Sequence, residues 1–151
     1  MKKSVTYNLF ILLITILQVL ESRRLTEFTG EEKECLKQLN ADERKIGNQY
    51  FRYATPEDDA QFNNFIRCVW VKLEFLDKNE NIDYEKLKYH YRIGLIHFNV
   101  EKFVFDAIVK CESNHNSLKA DTPAKTAVKV QNCIFNNFFN ATRLYYPTGL
   151  P

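Results

Sequence analysis

Residues 55–76, TPEDDAQFNNFIRCVWVKLEFL, constrain the fold more than any other stretch of the chain. Their apolar residues recur at Phe62, Phe65, Ile66, Val69, Leu73 and Leu76, in steps of three and four that gather on one helical face. Thr55 is expected to cap this helix and Pro56 to take its first position. Glu57, Asp58 and Asp59 suit the positive end of its dipole. Cys68 is expected in the middle of the apolar face, where a single bond would staple a second helix. The stretch predicts an all-α fold packed around one central helix.

The start of the chain reads differently. Lys2 and Lys3 precede an apolar run over residues 9–20, and Glu21 and Ser22 follow it. This is the form of a secretory signal peptide spanning residues 1–22, although Leu20 is bulky for a position near the cleavage site. The run falls short of the roughly 20 residues that a membrane span needs. A secreted, extracellular protein without membrane insertion is therefore expected, with residues 23–151 forming one helical domain. Losing Lys2, Lys3 and Glu21 leaves 19 basic against 18 acidic residues, with the signs mixed along the chain. No basic stripe offers itself to a phosphate backbone, so nucleic acid is not an expected partner.

Cys35, Cys68, Cys111 and Cys133 all follow the leader. Four cysteines in an oxidising compartment predict two disulfides, and three pairings are open. No close CxxC or HxxxH pair suits zinc, and no metal site is expected. Asn140-Ala141-Thr142 is a glycosylation sequon.

After a short exposed lead, Thr29-Gly-Glu-Glu32 has the form of a capping box opening a helix through Cys35, Leu36 and Leu39. A second helix is expected over residues 40–53, with Ile46 and Tyr50 inward, and the central helix follows. Asp83 is expected to cap a fourth helix carrying Tyr84, Leu87 and Tyr91, and Asn99 a fifth running from Val100 to Cys111. Residues 112–121 read as a loop. Thr122-Pro123 starts a sixth helix with Ala127, Val130, Ile134, Phe135 and Phe138 along one side. RLYYPTGLP at the end is expected to be irregular.

Little here suggests catalysis. DKNENID has Asp77, Asn79 and Asn81 at alternate positions, but Ile82 and Lys88 stand where a calcium loop needs Gly and a bidentate Glu. His90, His97 and His115 lie in no catalytic motif, and the cysteines are expected in disulfides. Neither an enzyme nor a cofactor is expected. Aromatic content is 14%; short helices crossing at varied angles leave interior space that such side chains would line for a small apolar ligand.

With the segment RCVWVKLEFLDKNENIDYEKL and the leader, the cysteine spacing resembles that of the insect odorant-binding proteins over the whole mature chain. Thirty-two, 42 and 21 residues separate the successive cysteines. The family's usual six-cysteine pattern would place the two absent cysteines at Asn64 and Ala124, partners in one family disulfide. The chain is similar to the four-cysteine members.

The resemblance implies Cys35–Cys68 and Cys111–Cys133 pairing and a compact bundle of six helices around a buried apolar cavity. It implies a carrier that binds small hydrophobic ligands non-covalently, as odorants and pheromones are carried. Phe65, Val69, Phe103, Ile108, Ile134, Phe135 and Phe138 are the expected lining, with Tyr145 as a polar contact. The tail after Asn140 either folds back as a lid or extends into solvent. His97, among Leu95, Ile96 and Phe98, is the expected acid-sensitive group. An olfactory receptor taking over the ligand and a second copy of the chain are the macromolecular partners the resemblance brings in. The rival reading is a secreted signalling or salivary factor with a filled core that acts through its surface.

Overall fold

The computed structural model describes residues 28–50, 55–95 and 100–145. Among them are seven helices: α1 (Gly30–Gln38), α2 (Glu43–Tyr50), α3 (Ala60–Lys72), α4 (Tyr84–Leu95), α5 (Glu101–Ser113), α6 (His115–Leu118) and α7 (Pro123–Tyr145). The described residues contain no strand, only an isolated antiparallel bridge between Leu76 and Ile82. The fold is all-α, with seven helices where the sequence suggested six. The difference is α6, a single turn inside the expected loop, where Asn114 O accepts from Ser117 N–H at 3.0 Å.

The first helix opens as its capping-box sequence suggests, with Glu32 reaching back to accept from the Thr29 N–H. The other Glu32 carboxylate oxygen accepts from the Tyr50 hydroxyl, so one buried acid ties the start of α1 to the end of α2. Phe28 is not exposed as expected: it is buried 5.7 Å from Phe65 and 5.8 Å from Tyr50, ring to ring. Asn40 ends α1 with φ 47°, and the N–H groups of Asn40 and Ala41 return to Lys37 O and Leu36 O. That left-handed closure suits asparagine. The second helix consequently starts at Glu43, behind Asp42, whose Oδ1 accepts from Lys45 N–H at 2.9 Å. Residues 51–53, expected to extend it, lie outside the described residues.

The central helix begins four residues later than expected. Asp59, with extended backbone, is its cap and accepts from the N–H groups of Gln61 and Phe62 at 3.0 and 3.1 Å. Thr55 serves a distant partner instead. Asn132 Oδ1 accepts from the Thr55 N–H at 3.1 Å and from its hydroxyl at 2.7 Å, and Asn132 Nδ2 donates to Thr55 O at 3.0 Å. Both side chains are buried, so every polar group in this joint has a partner. The helix stops at Lys72 because Glu74 turns left-handed, φ 60°, and Phe75 N–H returns to Trp70 O. Cys68 is half-buried on the flank facing α1, not in the middle of the apolar face.

Between α3 and α4 the Asp77 carboxylate accepts from the N–H groups of Asn79 and Asn81, both at 2.8 Å, and forms a tight hairpin. Asp83 opens α4 as expected, accepting from Lys86 N–H at 2.9 Å. Asn99, the expected cap of α5, lies outside the described residues. Pro123 is the first residue of α7, which runs 23 residues and takes Arg143, Leu144 and Tyr145 into the helix. The first part of the expected irregular tail is therefore helical, and residues 146–151 lie outside the described residues.

Helix α7 is the spine, packing against α3, α5 and α6, while α1 and α2 pack on α3 and α4 on α5. Disulfides join Cys35 to Cys68 and Cys111 to Cys133, with Cα–Cα distances of 5.8 and 6.0 Å. The first bond staples α1 to α3 and the second α5 to α7.

Candidate ligand-binding interior

A helix face buries its apolar residues only where another face meets it, and here three faces converge. Phe65 and Val69 of α3, Ile108 of α5 and Ile134 of α7 belong to one continuous buried cluster. Phe62, Ile66, Trp70, Leu87 and Val104 fill it out, and half-buried Phe138 packs against it. Phe65 is held by aromatic edges on two sides, Phe28 and Tyr50, the latter at 5.4 Å and 88°. Phe103 and Phe135 are half-buried and stand outside that cluster; the Phe135 ring lies 6.4 Å from that of Phe139. The Tyr145 side chain lies outside the described residues, as does His97.

Two side chains of the interior escape a search for apolar periodicity. Asn63 and Gln131 are buried, and each has a polar atom, Asn63 Oδ1 and Gln131 Nε2, without a hydrogen-bond partner among the described residues. Gln131 falls three and four residues from Val128, Ala127, Ile134 and Phe135, squarely on the inward stripe of α7. A polar residue inside such a stripe is counted as a gap, and the stripe alone gives no sign of its burial.

The electrostatics of the interior are nearly neutral. Glu32 is the one charged side chain in the buried set among the described residues. Burial pushes the Tyr91 phenol up to about 12. Burial also raises Tyr84 to about 12, with Glu112 adding to the effect, and its hydroxyl lies 2.8 Å from His115 Nδ1. Burial, then Lys119, lowers the His115 pKa.

Among the described residues, two pockets open at the surface. One, about 270 Å³, lies between the end of α1 and α3, lined by Gln38, Leu39, Asn64, Arg67, Cys68, Val71 and Lys72. The other, about 190 Å³, lies between the hairpin after α3 and the α6–α7 loop, with Glu80, His115, Lys119 and Asp121 on its walls. Neither holds any of the expected lining residues.

Asn140 is exposed on α7, while Thr142 of the same sequon is buried and donates to Phe138 O at 3.0 Å. Among the described residues no cluster suits a metal ion, and no helix is long and apolar enough to cross a membrane.

Comparison with curated proteins and with solved structures gave no significant match. A family model, the PBP/GOBP family, matches residues 19–137. That match spans α1 to α6 and most of α7, and both disulfides fall inside it. The chain belongs to the PBP/GOBP family, the small odorant- and pheromone-binding carriers of insects, which are binding proteins and not enzymes.

Proposed function

We infer that the chain is a secreted carrier that takes up small hydrophobic molecules non-covalently between α3, α5 and α7. The observation that supports this reading most is the convergence of Phe65, Val69, Ile108 and Ile134 from three helices in a member of this family. Phe103, Phe135, Phe138 and Tyr145 extend the proposed lining towards the far end of α7. A glycan on the exposed Asn140 would stand clear of that lining. Ligands of about 10–20 heavy atoms fit the proposal. At ~0.3 kcal/mol per atom a 20-atom ligand gains about 6 kcal/mol, a Kd of tens of micromolar, and smaller ligands gain more per atom.

Displacement of a fluorescent apolar probe tests it. Aliphatic alcohols, esters, terpenes or phenols should compete below ~100 μM. A panel that leaves the probe bound throughout that range removes the carrier reading.

One observation favours the surface-acting alternative. Tyr89 and Ile93 on α4 and Phe105 and Val109 on α5 are exposed apolar pairs at helical spacing on two packed helices. A protein that displaces no probe yet binds a receptor-bearing cell through this hairpin would support that alternative.

A further inference from the structure

The donor left over on the inward stripe of α7 deepens the carrier reading and rests on it. Gln131 is 6% exposed, and Nε2 of its side chain has no partner among the described residues. Leucine or methionine would occupy the same volume without that cost, since an unpaired buried donor is unfavourable. The other two unpartnered atoms have a local account. Gln49 donates through its amide nitrogen to Asp59, and Asn63 donates through its own to Glu57 O, so both side chains are tied to the segment before α3. Gln131 has no such tether among the described residues, and its neighbours on the helix face are Ala127, Val128, Ile134 and Phe135.

We propose that the Gln131 amide is the polar anchor of the binding site, donating an N–H to an oxygen of the bound molecule. The ligand class follows from what surrounds it. A donor selects an acceptor, so the ligand carries a ketone, aldehyde, ester or ether oxygen on an otherwise apolar body. Among the described residues the buried set holds no cation to neutralise a carboxylate, and its one acid, Glu32, already accepts from Thr29 and Tyr50. The preferred ligand is therefore neutral, and a pure hydrocarbon leaves the donor unpaired.

Two ligands of closely similar shape separate the possibilities: 4-phenyl-2-butanone, which has the oxygen, and butylbenzene, which lacks it. Each is titrated against a probe-loaded wild-type protein, Gln131→Leu and Gln131→Met. The wild type should prefer the ketone by about fivefold to tenfold more than either variant does. Hydrocarbon affinity should hold or rise in the variants, and their thermal midpoints should not fall below the wild type's. The Met variant, nearly isosteric, serves if Leu fails to fold. A ketone-to-hydrocarbon ratio unchanged in a folded variant overturns the anchor and leaves the carrier standing. A wild type that releases the probe to neither ligand, nor to the wider panel, overturns both.

Discussion

His115 is one ring on a one-turn helix, and it ties α6 to Tyr84, the first residue of α4. Its Nδ1 lies 2.8 Å from the Tyr84 hydroxyl, and the two rings meet edge to face at 5.6 Å. The Tyr84 hydroxyl keeps its proton well beyond neutral pH, and which partner donates follows from the imidazole tautomer. Burial and the nearby Lys119 both oppose protonation, which lowers the folded pKa below the ordinary value. For a base, that sign means the folded state binds its proton less readily than the unfolded chain. The stability is fully present above the unfolded value of about 6.5 and is lost as pH falls from there through the folded pKa. Urea unfolding at pH 7.5, 6.5 and 5.5 should show this decline in the wild type. Substituting His115→Gln, which keeps an acceptor but does not titrate, should flatten it. A decline of equal size in the variant would place the acid sensitivity elsewhere.

At the scale of elements, helix α3 shows which instructions are local. Its apolar stripe was legible in the sequence because the three-and-four spacing is a property of neighbouring residues. The cap was not. Thr55, Glu57, Asp58 and Asp59 all suit a helix start, and the choice turned on Asn132, whose partner Thr55 lies 77 residues away in sequence. Burial of Gln131 was illegible for the same reason, since only packing against other helices decides it. The cysteine pairing was legible through a family resemblance, where residue spacing alone left three pairings open.

Asp59 carries more than a cap. One oxygen holds the Gln61 and Phe62 N–H groups, and the other meets Lys45 Nζ at 2.8 Å and Gln49 Nε2 at 3.1 Å. The bonds from Lys45 and Gln49, then the backbone bond from Phe62, hold its carboxyl well below the usual carboxylate range. Asp59→Asn should keep the helix cap and lose the charge. Asp59→Ala should lose both, and be less stable than the Asn variant by about 1 kcal/mol, within 0.5–2. The folded pKa of Asp59 is depressed, so the stability that its charge contributes in the wild type is present above the unfolded carboxylate value and is lost as pH falls through the folded one. Urea midpoints of the three proteins at neutral pH measure the cap. Equal midpoints for Asn and Ala would show that α3 does not depend on it.

Seen whole, the molecule is two stapled units with no disulfide between them. Cys35–Cys68 closes the α1–α3 unit and Cys111–Cys133 the α5–α7 unit. Between them stand the packing of α3 on α7, the Thr55–Asn132 joint and the Lys125–Asp58 ion pair at 2.6 Å. The ion pair is on the surface and contributes little. The proposed ligand interior lies along this same boundary, so an uncrosslinked boundary leaves the two units freer to adjust to what they hold. The six-cysteine pattern, as the resemblance lays it on this chain, puts its third bond at Asn64 on α3 and Ala124 at the start of α7. Asn64 is exposed, Ala124 is buried, and Lys125 beside it already reaches the segment before α3. Asn64→Cys combined with Ala124→Cys should therefore form a disulfide across the boundary, leaving the two native bonds in place. Chain-entropy reasoning gives roughly 4 kcal/mol for a loop of about 60 residues; the existing cross-links and native strain should reduce this to about 1–3 kcal/mol. Either single substitution should add no stability and leave a reactive thiol. Thiol titration and peptide mapping of the oxidised double variant decide the matter. Two free thiols would show that these positions do not face each other. A formed bond with weakened ligand binding would show that the boundary has to move for a ligand to enter.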